Sequence, residues 1–472
     1  MTWQPPREAR GVPEPAGDLA VGASAASGER PGIALVVVRN SVEHDARVLR
    51  AARTLARIGY ETTVLGVASF SERRAVSEAG GVTIKRIGPS SRLAWAVYQR
   101  ISHLSPPEPR VYDEGATEAK SAAAPDKNAK DAGASEANAA AASTASGTTA
   151  IKGVGRRLLR FAATLAYYRR AIAVVRAMRP DLVHCNDYNT MWIGVAARLL
   201  AGSAVIYDSH ELWPDRNLRQ EPRWWVLLCE ALFVRAAHRV ITTSPAYAEL
   251  MAQRYRIAEP VVVRNIPEPG PEAPEPGTLR PRPERDGPPV AIYVGGLQPN
   301  RGLEQSIRAL VKAPAVKLRL VGPATPAAFR LELERLVRSL GLEDRVELSD
   351  PVPPMEVVDA LVDADVGLAL IQPAQLSYRL TLPNKLFEYA LAGLPILGSD
   401  LPMIARFVNE HELGMTTDPE DVDAIAAKLE ELVEPARNAR YREAVARAAI
   451  ALDWRREREL LVDVYRDASA RA

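Results

Sequence analysis

Apolar and polar positions alternate in blocks along this chain. Residues 33 to 38, Ile-Ala-Leu-Val-Val-Val, form an unbroken apolar run of the kind a strand buried on both faces requires, which predicts a parallel sheet. From Asp45 to Ile58 the apolar residues Val48, Leu49, Ala52, Leu55 and Ala56 recur at helical spacing. Gly59 closes that helix, and Thr62 to Val67 reads as the next strand, completing a βαβ unit. The alternation resumes with a helix from about Arg156 to Met178, a strand Leu182 to Cys185, a helix Met191 to Leu200, and strands Ala204 to Tyr207 and Arg239 to Thr243. A second series starts with strand Val290 to Val294 and continues with Leu318 to Val321, Val346 to Leu348, Val366 to Ile371 and Pro395 to Gly398. Short apolar strands separated by helices predict an α/β protein with two Rossmann-like, doubly wound domains. Such domains face a cleft between the carboxyl ends of their sheets, where open α/β folds bind ligands.

The breaks in the pattern mark the boundaries. Residues 1–30 are rich in Pro, Gly, Ala and acidic groups and lack the apolar core of a signal peptide, so they read as a disordered tail. Ser105 to Gly155, about 105–155, combines Pro, Lys, Asp, Ser and runs of Ala, too polar to offset its ordering entropy, and reads as a disordered insertion. A transient helix near Ala139 to Ala142 is the alternative there. Residues 267–289 are dense in Pro, Glu and Gly, as an exposed linker is. The expected domains are therefore 31–266 and 290–445, with 446–472 left as a terminal segment.

Composition narrows the function classes only a little. Of 472 residues, 47% are hydrophobic and 25% charged, enough to bury two cores. A formal net charge of +2 gives the whole molecule no pull toward nucleic acid, and none is expected as a partner. Two cysteines, Cys185 and Cys229, have no metal-type spacing, fit a reducing cytoplasm and read as buried, inert thiols. No run of about 18 apolar residues occurs, so no spanning helix is expected.

Strand Val290 to Val294 runs into Gly295-Gly296-Leu297-Gln298-Pro299-Asn300-Arg301-Gly302, and a helical pattern follows from Leu303. Glycines between a strand and a helix let backbone N–H groups approach a phosphate, and Arg301 adds a cation, so the segment reads as a diphosphate cradle. An ordinary tight βα turn has the same spelling, and the Gly-Lys-Ser/Thr ending of a P-loop is absent. The segment from Leu382 to Leu397 brackets a short helix between Pro383 and Gly393, with Pro395 opening the next strand. Lys385 and Glu388, three apart, share one face: the lysine suits phosphate and the glutamate suits ribose hydroxyls. A surface ion pair is the plainer alternative. Asp363-Ala364-Asp365 matches an Asp-x-Asp metal pattern, but it joins a helix read over Val357 to Val362 to the strand from Val366, away from the cleft, and no metal is assigned. Arg156, Arg157, Arg160, Arg169, Arg170 and Arg176 punctuate an apolar helical stretch, and Trp224-Trp225 lies in a segment read as irregular. A basic face with aromatics suits an anionic membrane surface, and a core helix with a solvated arginine face is the alternative.

The Pro383-Asn384-Lys385-Leu386-Phe387-Glu388-Tyr389-Ala390-Leu391-Ala392-Gly393-Leu394-Pro395 segment resembles the donor-site helix of the retaining GT-B glycosyltransferases of glycosyltransferase family 4. Gly295 to Gly302 is similar to that family's phosphate loop. Asn40 to Gly59, Tyr207-Asp208-Ser209-His210-Glu211, Val263-Arg264-Asn265 and the terminal Trp454 to Tyr465 stretch extend the resemblance over nearly everything outside the tail and insertion. The resemblance implies a GT-B fold whose last helix, within 446–472, crosses back onto the N-terminal domain. It implies transfer of a sugar from a nucleotide-diphosphate sugar to a glycan or lipid-linked acceptor, with retention of configuration, without a metal and without a tightly bound cofactor. The implied catalytic residues are His210, Arg301 and Lys385, and the implied donor contacts are Gly295, Gly296, Arg301, Thr381, Leu382, Lys385 and Glu388. Asp45, Asp187 and Glu211 are the implied acceptor contacts. Two positions depart from the family pattern. Leu380 stands where many members place a glutamate facing the donor sugar, and Gly296 replaces a frequent arginine while Arg301 stands for the usual lysine. A nucleotide-sugar epimerase or hydrolase of the same fold, or an idle nucleotide-sugar-binding scaffold, are the rival readings. The expected location is cytoplasmic, with attachment to the cytoplasmic face of a membrane as a variant.

Overall fold

Fully buried apolar strands dictate the architecture seen in the computed structural model, which describes residues 31–42, 45–68, 76–88, 162–216, 221–268, 281–283 and 286–472. The tail, the insertion, Arg156, Arg157, Arg160 and most of the linker lie outside the described residues. The first domain holds β1 (Ile33–Val37), α1 (Ala46–Arg57), β2 (Glu61–Val67), β3 (Val76–Ala79), β4 (Val82–Ile87), a helix over 162–178 called α2, and β5 (Leu182–Asn186). It continues with α3 (Met191–Ala201), β6 (Ala204–Ser209), α4 (Arg223–Ala236), β7 (Arg239–Thr242), α5 (Pro245–Tyr255) and β8 (Val261–Val262). Its eight strands lie in the order β3-β4-β2-β1-β5-β6-β7-β8, parallel except for the β3–β4 pair. With β1, β5 and β6 side by side at its centre, the sheet reverses its strand order at β1, the topological switch that opens a crevice at the carboxyl ends.

The second domain comprises β9 (Val290–Val294), α6 (Leu303–Ala309), β10 (Lys317–Val321), α7 (Ala328–Ser339), β11 (Val346–Ser349), β12 (Val366–Ala369), α8 (Leu376–Arg379) and α9 (Asn384–Leu391). Then follow β13 (Ile396–Ser399), α10 (Pro402–Glu410), β14 (Gly414–Thr417), α11 (Val422–Val433), α12 (Pro435–Ala449) and α13 (Trp454–Ala470). Its six strands are all parallel, in the order β11-β10-β9-β12-β13-β14. The β9 and β12 residues are buried throughout, as a sheet covered on both faces demands.

Three local readings change. Val357 to Val362 is not a full helix: only Asp359–Leu361 forms a 3-10 turn. Trp224-Trp225 is not irregular, since Pro222 precedes the first turn of α4 and both tryptophans lie within that helix. The β3–β4 hairpin is an addition, turned by Gly80 and Gly81, both at positive φ.

The domains are joined in two places besides the linker. Helix α13 leaves the second domain and buries Trp454, Leu461, Val464, Tyr465 and Ala468 against Ala34, Val48, Ala51, Leu55 and their neighbours in the first. Glu457, buried on α13, accepts from Arg264 through its backbone N–H (2.7 Å), Nε (2.8 Å) and Nη2 (2.6 Å). Near the cleft, Tyr247 of α5 donates its hydroxyl to the Ser377 carbonyl at 2.7 Å, and Ser244 Oγ donates to the Leu380 carbonyl at 3.1 Å. Leu376 and Leu380 pack their side chains against the first domain's core.

Candidate active site

The second domain's contribution grows from the carboxyl end of β9. There Gly295 (φ +126°) and Gly302 (φ +72°) take backbone conformations that favour glycine, and a Cβ on Gly302 would fall 2.2 Å from the Leu370 carbonyl oxygen. The Gly295 N–H is tied to Val321 O at 3.0 Å, and Tyr293 donates its hydroxyl to Gly296 O at 2.8 Å, so the loop is fixed by the sheet behind it. Arg301 lies on this loop with its guanidinium 4.6 Å from the ring centre of Tyr378.

Helix α9 faces that loop. Pro383 fixes its entry, and Gly393 (φ +74°) ends it while Leu394 N–H closes on Tyr389 O at 2.9 Å. Lys385, buried in the first turn, sets its ammonium 3.4 Å from the ring centre of Tyr293 and beside Gly295. Among the described residues no carboxylate lies within ion-pair distance of it. Burial and the neighbouring Arg301 hold its amine well below the usual lysine range, against the opposing pull of Glu388. Glu388, one turn on, is half-buried, and loss of solvent pushes its acid up to about 7, against the pull of Lys385 and Arg50. Lys385 and Glu388 thus share a helix face without forming a solvated surface pair. Thr381 and Leu382 precede the helix, where Thr381 neighbours the Tyr247 hydroxyl.

Across from them the first domain presents the carboxyl ends of β5 and β6. Asp208, buried at the end of β6, receives a two-pronged bond from Arg47 of α1: Nε to Oδ2 and Nη2 to Oδ1, both 2.8 Å. Burial alone would raise its acid, but Arg47 and His210 draw it well below the usual carboxylate range. His210 follows with Nε2 3.2 Å from Asp208 Oδ2 and Nδ1 3.5 Å from Asp187 Oδ1. Burial would lower the imidazole, yet the two carboxylates raise it to about 9. Asp187 adopts φ +68°, a strained conformation for a residue with a side chain, and its Oδ1 accepts from Trp213 Nε1 at 3.2 Å. Thr243 Oγ1 donates to His210 O at 3.2 Å, and the next residue, Ser244, reaches Leu380 O, so β7's carboxyl end links His210 to the Leu380–Thr381 segment of the other domain.

The structure therefore gathers Gly295, Gly296, Arg301, Thr381, Lys385 and Glu388 on one side and His210 with Asp187 on the other. Glu211 is exposed, 3.7 Å from Arg216. Asp45 is the cap of α1: Oδ1 accepts from Val48 N–H (3.2 Å) and Oδ2 from Asn40 Nδ2 (2.7 Å), which leaves this carboxylate a structural task. Leu380 turns toward the first domain's core. Asp363 is paired with Arg319 (3.0 and 3.1 Å) and Asp365 with Arg282 and the Val290 N–H; both precede β12, at the end of the sheet opposite the β9 loop. Sequence reasoning missed Arg47 and Arg50. Arg50 lies under the Trp454 ring (4.9 Å), donates to Asn265 Oδ1 (3.1 Å), and has its guanidinium pulled down to about 10 by burial and Arg47. The available signal was their i, i+3, i+7 alignment with Thr54, a polar row on the helix face that is buried.

Two Rossmann-like domains meeting at ionisable groups on the carboxyl ends of both sheets define a GT-B, nucleotide-sugar-binding architecture. Residues 129–266 match the model of the glycosyl transferase 4-like domain and residues 278–450 that of glycosyl transferases group 1. The chain is a glycosyltransferase built from these two domains. It is 27% identical to a D-inositol 3-phosphate glycosyltransferase of Acidothermus cellulolyticus over 332 residues, 65% of this chain and 72% of that one. It is 24% identical to a glycogen synthase of Mycobacterium tuberculosis over 61% of this chain and 69% of that one. The fold is similar to that of sucrose-phosphate synthase from Thermosynechococcus elongatus, with TM-score 0.63, 17% identity, and 93% of this chain and 100% of that one covered. It is also similar to that of Anabaena HepE solved with UDP, with TM-score 0.59, 14% identity, and 92% and 99% covered.

Proposed function

We propose that the protein moves a sugar from a nucleotide-diphosphate sugar to a glycan or lipid-linked acceptor with retention of configuration, using no metal and no resident cofactor. The observation that carries this reading is the buried Lys385 amine beside the Gly295 turn with Arg301 nearby, two basic groups whose natural complement is a diphosphate. Glu388 accepts from the ribose hydroxyls, and Arg301 and Lys385 offset the charge that grows on the leaving diphosphate. His210 donates to the reacting sugar, and Asp187 and Glu211 bound the acceptor side. The leaving phosphate oxygen takes the acceptor proton, so no protein nucleophile is required, and catalysis rests on positioning and charge. The test is the thermal midpoint against UDP, GDP, ADP and their sugar conjugates, with Arg301→Ala and Glu388→Ala alongside. One nucleotide class at about 100 times its Kd adds roughly 2.7 kcal/mol in the native protein and less in both variants. No shift with any nucleotide would overturn the donor site, and a new sugar formed without acceptor would point to an epimerase instead.

A lipid-linked acceptor is favoured by one surface. Among the described residues no helix is long and apolar enough to cross a membrane. Yet α4 exposes Trp224, Leu228 and Leu232 in successive turns, and α3, joined to it by the Trp192–Phe233 ring contact, exposes Trp192 and Leu199. The only carboxylate on these two helices, Glu230, is buried and bonded by Tyr207 and Tyr255, whereas Arg198, Arg223 and Arg235 are cationic. Apolar side chains among cations suit an anionic bilayer. Sedimentation with anionic vesicles should carry the protein down at low salt, and loss of the effect in Trp224→Ser/Leu228→Ser would locate it; no sedimentation refutes it.

A further inference from the structure

We infer that Asp208 is a positioning residue for sugar transfer: it holds the His210 imidazole in place as its ion-pair partner, and is itself held still by Arg47 and by His184 of β5, which Tyr465 of the C-terminal helix backs. Asp208 has no access to solvent, so every lone pair it uses must be met within the protein. Both its oxygens take Arg47, and Arg47 is fixed in turn by Val263 O (2.8 Å) and Asn265 Oδ1 (3.0 Å). On the same Oδ2 His184 Nε2 makes a hydrogen bond and His210 Nε2 an ion-pair contact without hydrogen-bond alignment, each at 3.2 Å. An ionised carboxylate only accepts, so His184 must carry its proton on Nε2. Its Nδ1 then accepts from the Tyr465 hydroxyl at 3.1 Å, shorter than that hydroxyl's other acceptor, Ala51 O at 3.4 Å, which sets one tautomer and ties α13 into the site.

The groups facing His210 decide its charge. Asp187 stands at the end of β5, Asp208 at the end of β6 and Arg47 on α1; the arginine is already matched by Asp208, which leaves a net pull toward the imidazolium. This agrees with the rise to about 9 despite burial. An imidazolium donates from both nitrogens, and the Nδ1 side, where Asp187 is partly exposed, is the one that can turn to a sugar or phosphate oxygen. Asp208 itself does not touch substrate. Its role rests on the reading of His210 as the sugar-facing group, but its hold on the ring can be measured without turnover.

The experiment is a nitrogen and proton NMR titration of the histidine side chains in the full chain, which has six, with His210 assigned by His210→Gln. Wild-type His210 should titrate near 9 and His184 should show the Nε2–H tautomer. Asp208→Asn should bring the His210 midpoint down to about 6.5 or below and move the alkaline limb of kcat by the same amount, with the donor KM little changed. Because Asp208→Asn strands Arg47, the paired Arg47→Gln/Asp208→Asn variant is titrated beside it. A wild-type His210 midpoint at or below about 6.5, an Nδ1–H tautomer at His184, or an unmoved His210 midpoint in a folded variant each overturns the inference. A native His210 titration with no nucleotide binding would instead overturn the transfer reading and leave the hold of Asp208 standing.

Discussion

Glu388 should make donor affinity fall on the acid side of neutrality. Its acid is pushed up to about 7, because the half-buried helix face withdraws solvent faster than Lys385 and Arg50 restore charge. Ribose hydroxyls bond more strongly to the carboxylate than to the neutral acid. With that midpoint the group is about ten-elevenths ionised at pH 8 and about one-eleventh at pH 6, so a ligand that needs the carboxylate loses about tenfold in affinity, roughly 1.4 kcal/mol. A nucleotide sugar is the right probe, since its diphosphate diester does not itself titrate in this range. Calorimetric Kd values from pH 5.5 to 9 should show that acid limb in the wild type and none in Glu388→Gln, which binds weakly but evenly. Lys385 acts in the opposite sense: its amine is held low, a diphosphate favours the ammonium, and affinity should fall again as pH rises. Lys385→Met should therefore lose the alkaline limb only. A wild-type affinity that is flat from pH 8 to 6, or an acid limb that survives in Glu388→Gln, would refute the assignment of the ribose contact.

Two further perturbations address the joints between domains. Arg264→Ala leaves the buried Glu457 carboxylate with only a backbone donor and should cost about 3 kcal/mol. In urea the change should appear first as early exposure of the buried Trp454, read by fluorescence, and a midpoint unchanged from wild type would show that α13 is not held by this pair. Tyr247→Phe removes the hydroxyl bonds to Ser377 O and Oγ across the cleft and should lower stability by about 1 kcal/mol. Its scattering profile without ligand should be more open; an unchanged profile and midpoint would assign the joint to the Ser244–Leu380 bond and the Leu376 and Leu380 packing.

The parts of the fold that were legible in the sequence are those whose burial is uniform. Strands such as β1 and β9 are covered on both faces, so their sequences are apolar without interruption. Helix α4 was not legible, because it buries Val226, Cys229 and Phe233 while exposing Trp224, Leu228 and Leu232, and so has no polar face to contrast with its core face. The β3–β4 hairpin sits at the sheet edge, where four residues, Val-Ser-Glu-Ala, carry too little pattern. On the donor side, Lys385 and Glu388 announce themselves through a local spacing that one helix converts into a shared face. Arg47 and Asp208 could not be paired in this way: 161 residues separate them, and α1 alone makes Arg47 look like an ordinary solvated arginine.

That difference in legibility follows a difference in electrostatic design. In the first domain the charges around His210 are matched internally, Arg47 by Asp208 and His210 by two carboxylates, with Arg50 the buried exception. In the second domain Lys385 is buried against an aromatic ring rather than a carboxylate, and Arg301 likewise rests over Tyr378. Ring faces stabilise a cation by about 1–2 kcal/mol, less than the desolvation they accompany, whereas a paired carboxylate would compete with an incoming phosphate. A cation kept on a ring is therefore poorly satisfied but open to a stronger anion such as a diphosphate. The same reasoning accounts for Glu388, whose acid is pushed up by loss of solvent more than Lys385 and Arg50 pull it down. Replacing Tyr378 by glutamate should pair Arg301 before nucleotide binds and abolish the nucleotide-dependent rise in thermal midpoint, and a rise equal to that of the wild type would refute the argument.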